Sequence, residues 1–97
     1  MIRSLLLSEV GVMLDATLVN GDVRFSTLTI DTRELQVDDL FVAIKGANFD
    51  GHAFVEKAQV SGAVAAVVEQ QMPVNLPQLV VSDSRDALGQ LGAINRD

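Results

Sequence analysis

The 97-residue sequence contains no cysteine, which excludes disulfides and thiolate metal sites. It also has no long hydrophobic run. Its longest apolar stretch, GAVAAVV at 62–68, is far too short to cross a bilayer. The amino-terminal stretch MIRSLLLSEVGVML mixes polar with apolar residues and lacks a small-residue cleavage site, so no signal peptide is predicted. A reducing cytoplasm is compatible with these absences.

Positive charge is scarce. Seven Lys and Arg against 13 Asp and Glu give a formal net charge of −6. So few cations cannot form a wide basic face, which argues against nucleic acid and anionic membranes as partners. Any phosphate-containing ligand must then be held mainly through its neutral parts, or by a few local donors.

Hydrophobic residues make up 48% of the chain and charged residues 21%, which is typical of one small domain with a real core. The alternation of buried-strand and helical patterns predicts an α/β fold. We expect a small three-layer domain with a mixed, largely parallel sheet flanked by helices. Strands are predicted at 25–30, 39–44, 63–68 and 76–81, with helices capped by Ser8, Asp50 and Asp83.

Two similar polar triplets follow predicted strands. Asp83-Ser84-Arg85 precedes a helical pattern, and Asp83 with Asp86 has capping-box spacing, so a structural role accounts for it. Asp31-Thr32-Arg33 precedes no helical pattern and lies at the carboxyl end of a strand, where open α/β sheets bind ligands. Its alternative interpretation is a polar turn in which Asp31 pairs with Arg33.

The next strand leaves through the glycine-bearing loop KGANFDGH, residues 45–52. If strands 25–30 and 39–44 are parallel neighbours, the two loops face each other. Together they offer the Thr32 hydroxyl, the Asn48 amide and backbone groups freed by glycine. One acceptor and several neutral donors suit a uracil ring, and this set requires no positive charge.

The ordered block TIDTREL…DLFVAIKGANFDGHAF, over residues 29–54, resembles the amino-terminal domain of the UDP-N-acetylmuramoyl-peptide (Mur) ligases of bacterial peptidoglycan synthesis. The resemblance implies a cytoplasmic domain, residues 1–97, that binds the uridine end of UDP-N-acetylmuramoyl-tripeptide. Phe49 before Asp50-Gly51-His52, together with LPQLVV at 76–81, favours the members that add D-alanyl-D-alanine. The members that add the third amino acid remain an alternative.

Residue by residue, the resemblance implies that Ile30 and Thr32 contact the nucleotide, while Asp31 and Arg33 brace the first loop. The second loop would hold the uracil, and Lys45 would approach the diphosphate. The resemblance implies no catalytic or metal-binding residue in this domain. The predicted ligand-binding set is Ile30, Asp31, Thr32, Arg33, Lys45, Gly46, Ala47, Asn48 and Phe49.

The sequence departs from the family pattern at two places. Val37-Asp38 replaces a Pro-Gly turn, so Asp38 is expected in the left-handed region that Asp tolerates. Ala47-Asn48 replaces a charged pair, which leaves the backbone of Ala47 as its contact.

Four residues also have non-ligand interpretations. His52 is expected to hydrogen-bond the loop from a first helical turn rather than act as a base. Phe41 and Phe54 are expected in the core, and Phe49 either stacks on a base or anchors its loop.

The phosphate-binding motif G-x-x-x-x-G-K-[ST] does not occur in these residues. The resemblance therefore implies a truncated domain that is inactive alone and lacks the central ATPase and carboxyl-terminal domains of the full ligase, which uses ATP and Mg²⁺. Those domains would be its partners. The alternative is a non-catalytic α/β regulatory or protein-interaction module that uses the same loop edge.

Overall fold

The computed structural model describes residues 5–47 and 50–94, with side chains described as far as Gly92. A five-stranded sheet forms its centre, and a two-stranded ribbon lies beside it. Two short 3₁₀ turns occur at Thr32–Glu34 and Gly51–Phe54. In chain order the other elements are β1 (Leu5–Leu6), α1 (Leu7–Leu14), β2 (Thr17–Val19), β3 (Arg24–Phe25), β4 (Thr27–Thr29), β5 (Asp39–Val42), α2 (Val55–Val60), β6 (Ala65–Val68), β7 (Gln78–Val80) and α3 (Ser84–Ile94).

The five-stranded sheet has the order β2-β7-β6-β5-β4. Strands β4 to β7 run parallel to one another, and β2 joins the far edge antiparallel to β7. Every residue of β5 and β6 is buried, as their continuous apolar sequences predict for strands covered on both faces. The predicted α/β class and the mixed, largely parallel sheet are confirmed.

The alternation of side chains along each strand builds one core on each face of the sheet. On one face, Leu40 and Val42 of β5 pack in a cluster with residues of α1 and α3. On the other face, Phe41 packs in a second cluster with Val55 and Ala58 of α2. These two cores give the three layers predicted from the sequence.

The predicted strand at 25–30 is wrong as a single element, because the chain changes sheets within it. Phe25 pairs with Leu5 in the two-stranded ribbon, whereas β4 pairs with β5. Phe25 is buried in the cluster that α1 and α3 cover. Ser26 lies between β3 and β4, so one run of strand-forming residues contributes strands to two different sheets.

The prediction that Ser8 caps the first helix is also wrong. Ser8 lies inside α1, where its N–H and its hydroxyl both donate to Asp22, at 2.9 and 2.6 Å. Leu6 occupies the cap position, and Glu9 accepts a hydrogen bond from the Leu6 N–H. Because Asp22 accepts both Ser8 donors, this serine joins α1 to the loop before β3.

Other turn and cap predictions are confirmed. Asp83 caps α3 and accepts from the N–H groups of Arg85 and Asp86, at 3.0 and 3.1 Å. Asp38 has a φ of 73°, in the left-handed region expected for it. Gly62, with a φ of 114°, follows the end of α2 as a left-handed stop.

Within residues 5–47 and 50–94, no helix has the length and apolar character that crossing a membrane requires.

Candidate functional site

The two loops singled out by the sequence leave the same edge of the sheet. β4 and β5 are parallel neighbours, with Thr29 opposite Phe41. The predicted pairing of these strands is therefore confirmed. Since β6 and β7 are parallel to them, Glu69 and Ser84, which follow those strands, belong to this edge as well.

The first loop is held by hydrogen bonds within the triplet. Asp31 caps the 3₁₀ turn by accepting from the N–H of Arg33 at 2.8 Å. The Arg33 guanidinium donates to both oxygens of the same carboxylate, and these bonds lower the pKa of Asp31 to about 2. The same pair raises the pKa of Arg33. Thr29 accepts a hydrogen bond from the Asp31 N–H at 3.1 Å.

A cavity of about 380 Å³, hereafter the first cavity, opens beside this loop. Its apolar part comes from Ile30, Phe41 and Phe54, and its polar part from the triplet and Lys57. Ile30 is 46% exposed and Phe54 38% exposed, so an apolar wall meets solvent here. Phe41 is fully buried, as predicted.

The prediction that Phe54 is a core residue is wrong. Phe54 ends the 3₁₀ turn, and α2 begins at the next residue. A 3₁₀ turn has about 3.0 residues per turn instead of 3.6, so extending the helical spacing of Val55 and Ala58 back to Phe54 is misleading. The ring consequently lines the first cavity instead of entering the core.

The second loop is closed at its base, where the chain leaves β5 and returns. Lys45 and Asp50 pair as an antiparallel bridge, and Gly51 donates to the Ile44 carbonyl at 2.7 Å. A Cβ on Gly51 would lie 2.9 Å from the Ile44 nitrogen and 3.0 Å from the Ala43 Cα. Glycine is therefore required where the chain returns. We call this base, formed by Lys45, Asp50 and Gly51, the loop neck.

Polar side chains hold the loop neck from both sides. On the return side, Asp50 accepts from the backbone N–H of His52 at 2.9 Å and lies 2.7 Å from His52 Nδ1. His52 Nε2 accepts from the N–H of Glu69 at 2.8 Å, so Nδ1 carries the proton that Asp50 accepts. On the exit side, the hydroxyl of Ser84 accepts from the Lys45 N–H at 3.0 Å and donates to Glu69 at 2.8 Å.

These bonds settle the role of His52 within the fold. Both ring nitrogens are engaged, and the imidazole is only 10% exposed. The predicted loop-bonding role is confirmed. A ring whose acceptor nitrogen already bonds a backbone N–H has no lone pair available to act as a base.

A second cavity of about 340 Å³ lies at the loop neck, lined by Lys45, Asp50, His52, Glu69, Gln70 and Met72. Its ionised groups are mainly acidic. Hydrogen bonds from Ser84 lower the pKa of Glu69, and hydrogen bonds from His52 lower the pKa of Asp50. Two carboxylates thus accompany the single ammonium of Lys45.

The structure divides the predicted ligand-binding residues. Residues 30–33 line the first cavity, whereas Lys45 lines the second. Gly46 and Ala47 follow Lys45 into the second loop. Asn48 and Phe49 lie outside the described residues, so the predicted approach of Thr32 to Asn48 stays a prediction.

Four residues at this edge were missed by the sequence analysis: Phe54 as a cavity residue, Lys57, Glu69 and Ser84. Phe54 ends the 3₁₀ turn and Lys57 lies in α2, so no single helical spacing relates the two. Glu69 directly follows the buried β6, which makes it comparable to the triplet after β4. Ser84 was present in the second triplet, but its contact with Lys45 spans 39 residues of sequence.

Within residues 5–47 and 50–94, no three His, Asp or Glu side chains are grouped closely enough to hold a metal ion. The cations beside the first cavity, Arg33 and Lys57, suit an anionic group instead.

The sequence is similar to two kinds of ligase. The UDP-N-acetylmuramoyl-tripeptide--D-alanyl-D-alanine ligase of Escherichia coli K12 is 41% identical over 90 residues, which are 93% of this chain and 20% of that enzyme. The UDP-N-acetylmuramoyl-L-alanyl-D-glutamate--2,6-diaminopimelate ligase of Aquifex aeolicus is 42% identical over 67 residues, 69% of this chain and 14% of that enzyme. The chain thus spans about a fifth or less of these relatives.

A crystal structure of MurF from Acinetobacter baumannii superposes with a TM-score of 0.85 at 30% identity, over 95% of this chain and 21% of that one. The family model described as "Mur ligase family, catalytic domain" matches residues 24–96. That match covers both loops, both cavities and the loop neck. The chain therefore belongs to the Mur ligase family.

Proposed function

We propose that residues 1–97 bind the uridine end of UDP-N-acetylmuramoyl-tripeptide, as the amino-terminal domain of a ligase that adds D-alanyl-D-alanine in cytoplasmic peptidoglycan precursor synthesis. The observation that carries the proposal is the first cavity, in which residues 30–33 meet an exposed apolar wall. The name of the Escherichia coli relative supplies the substrate class. Within the family, the larger matched share of the chain favours this activity over addition of the third amino acid.

The shape and chemistry of the first cavity suit a pyrimidine. Ile30 and Phe54 present apolar surface on which a flat ring packs, and aromatic contacts of this kind add to simple burial. The Thr32 hydroxyl both donates and accepts, so it can pair with a carbonyl or the N3–H of uracil. The second loop, residues 46–49, leaves the same edge and would cover the ring.

Charge around the first cavity also favours a nucleoside diphosphate. Two cations, Arg33 and Lys57, accompany one carboxylate, Asp31, among the lining residues. Arg33 is already paired with Asp31, which leaves Lys57 as the cation for a phosphate. The second cavity has the opposite balance, so its Lys45 would reach the diphosphate only from the rim.

Ligation would belong to other domains. Amide formation through a phosphorylated carboxylate uses ATP and Mg²⁺, and this chain contains neither a phosphate-loop motif nor, in its described residues, a metal-binding cluster. We therefore expect the 97-residue chain to hydrolyse no ATP. Turnover by the purified chain would contradict this assignment.

Nuclear magnetic resonance tests the proposal. UDP is titrated into the ¹⁵N-labelled chain, with ADP as the matched purine control. We expect backbone shifts confined to residues 30–33, 45–52 and 54–57 with UDP, and much smaller ones with ADP. The absence of shifts at millimolar UDP would overturn the proposal and favour the protein-interaction module.

A further inference from the structure

The loop neck is connected through hydrogen bonds to Glu69, a residue that no sequence pattern identified. Glu69 is linked to the neck on both sides through one intermediate residue each, His52 by its backbone N–H and Ser84 by its carboxylate. Its N–H donates to His52, which holds Asp50 on the return side. Its carboxylate accepts from Ser84, whose hydroxyl holds the Lys45 N–H on the exit side.

The contact between Ser84 and Glu69 on the exit side consists of two hydrogen bonds. One oxygen, Glu69 Oε2, accepts from both the N–H and the hydroxyl of Ser84, each at 2.8 Å. Ser84 is fully buried, whereas Glu69 is half-buried and lines the second cavity. A hydroxyl has one proton, and donating it to Glu69 turns the oxygen lone pairs towards the Lys45 N–H. The carboxylate therefore fixes the orientation of the group that holds the loop.

From this geometry we propose that Glu69 is a positioning residue for nucleotide binding, setting the exit of the loop at 46–49 through Ser84. This inference rests on the proposed function, because it assigns that loop to the uridine site. Glu69 itself would not touch the ligand. It would act by fixing the direction in which the chain leaves Lys45.

A pair of substitutions separates positioning from charge. Glu69→Ala removes the carboxylate and both bonds to Ser84. Glu69→Gln removes the same negative charge, but its amide oxygen still accepts from both donors. Loss of a negative charge near a diphosphate would by itself favour binding, so a charge effect has the opposite sign to the expected loss.

Asp22→Ala provides a matched stability control. Asp22 also accepts from the N–H and the hydroxyl of one serine, Ser8, but it joins α1 to the loop before β3. Neither element lines the two cavities. Asp22→Ala should therefore remove the same kind of double hydrogen bond without changing nucleotide affinity.

The experiment measures UDP affinity and the amide resonances of residues 45–47 in the 97-residue chain. We expect Glu69→Ala to weaken UDP binding about tenfold, which corresponds to losing one or two hydrogen bonds, and to shift those amides in the free protein. Glu69→Gln should restore affinity to within about threefold of the wild type. Ser84→Ala, which removes the same link, should match Glu69→Ala.

The outcomes distinguish this inference from the function on which it rests. Failure of the wild-type chain to bind UDP would overturn the proposed function, and the nucleotide role of Glu69 with it. Normal UDP binding by both Glu69→Ala and Ser84→Ala would overturn the positioning role alone. Equal loss in Glu69→Gln and Glu69→Ala would also overturn it, because the conservative change would then fail to rescue. If Glu69→Ala does not fold, Ser84→Ala and Glu69→Gln decide the result.

Discussion

Arg33 is bound back onto Asp31, two residues earlier in the chain, so that its Nε lies 3.1 and 3.2 Å from the two carboxylate oxygens and its Nη2 2.8 Å from one of them. The guanidinium is 83% exposed, and a surface pair of this kind contributes little to stability. Its consequence is geometric. The pair keeps the 3₁₀ turn closed at the point where Thr32 faces the first cavity.

The Asp31 pair has a pH signature. The pKa of Asp31 is lowered from 3.8 to about 2, so its contribution to stability is complete above its unfolded pKa and is lost as pH falls through the folded one. We expect the stability difference between wild type and Asp31→Asn to be constant near neutral pH and to shrink from pH 3.8 towards about 2. Urea midpoints measured across this range test it.

Arg33→Ala serves as the partner control. It removes the guanidinium, the largest cause of the lowered pKa of Asp31, but keeps the backbone N–H of residue 33, so it should reduce the same pH-dependent difference without abolishing it. Asp22, Asp50 and Glu69 also have lowered pKa values, so only the difference between variants isolates Asp31. Identical acid dependence in wild type and Asp31→Asn would contradict the assignment.

Thr32→Val is expected to weaken uridine binding about two- to tenfold, because valine keeps the branched shape but loses the hydroxyl proposed to pair with uracil. Thr17→Val is the matched control. Thr17 is exposed on β2, at the opposite edge of the sheet from β4. Isothermal titration with uridine measures both. Equal affinity in the two variants would remove the Thr32 hydroxyl from the site.

Lys57→Ala is expected to weaken UDP binding about three- to tenfold while changing uridine binding little, because an ammonium interacts with phosphate rather than with the base. The ratio of the two affinities is the informative quantity. Arg24→Ala, an exposed cation on β3, controls for the overall loss of positive charge. A similar loss for UDP and uridine would show that Lys57 supports the cavity wall instead.

Much of this edge was predictable because its determinants are local. The apolar run that follows Asp39 in β5 indicates a strand that is buried on both faces, and the left-handed φ of Asp38 follows from the tolerance of Asp for that region. Asp83 caps α3 through bonds to residues two and three positions ahead. Each of these features depends on a few adjacent residues.

The failures involve distant partners or a local change of helix type. The prediction for Phe25 fails because its strand partner is Leu5, and the cap prediction for Ser8 fails because its partner, Asp22, is 14 residues away. The core prediction for Phe54 fails because the residue ends a 3₁₀ turn, which does not continue the helical spacing of α2. The contact of Ser84 with Glu69 depends on the parallel order of β6 and β7, which no local pattern encodes.

Gly51 tests the packing of the loop neck. Gly51→Ala places a Cβ 2.9 Å from the Ile44 nitrogen and 3.0 Å from the Ala43 Cα, both backbone atoms that cannot rotate away. We expect it to lower the free energy of unfolding by about 1–3 kcal/mol, the range for overpacking.

Gly89→Ala is the matched control, since its Cβ meets no atom within 4 Å. In the exposed face of α3 it should raise stability by about 0.5–1 kcal/mol. Urea unfolding of the two variants measures both signs. A neutral or stabilising Gly51→Ala would show that the backbone at the neck can shift to accept a Cβ. That outcome would contradict a neck held in one position by the hydrogen bonds of Ser84 and His52.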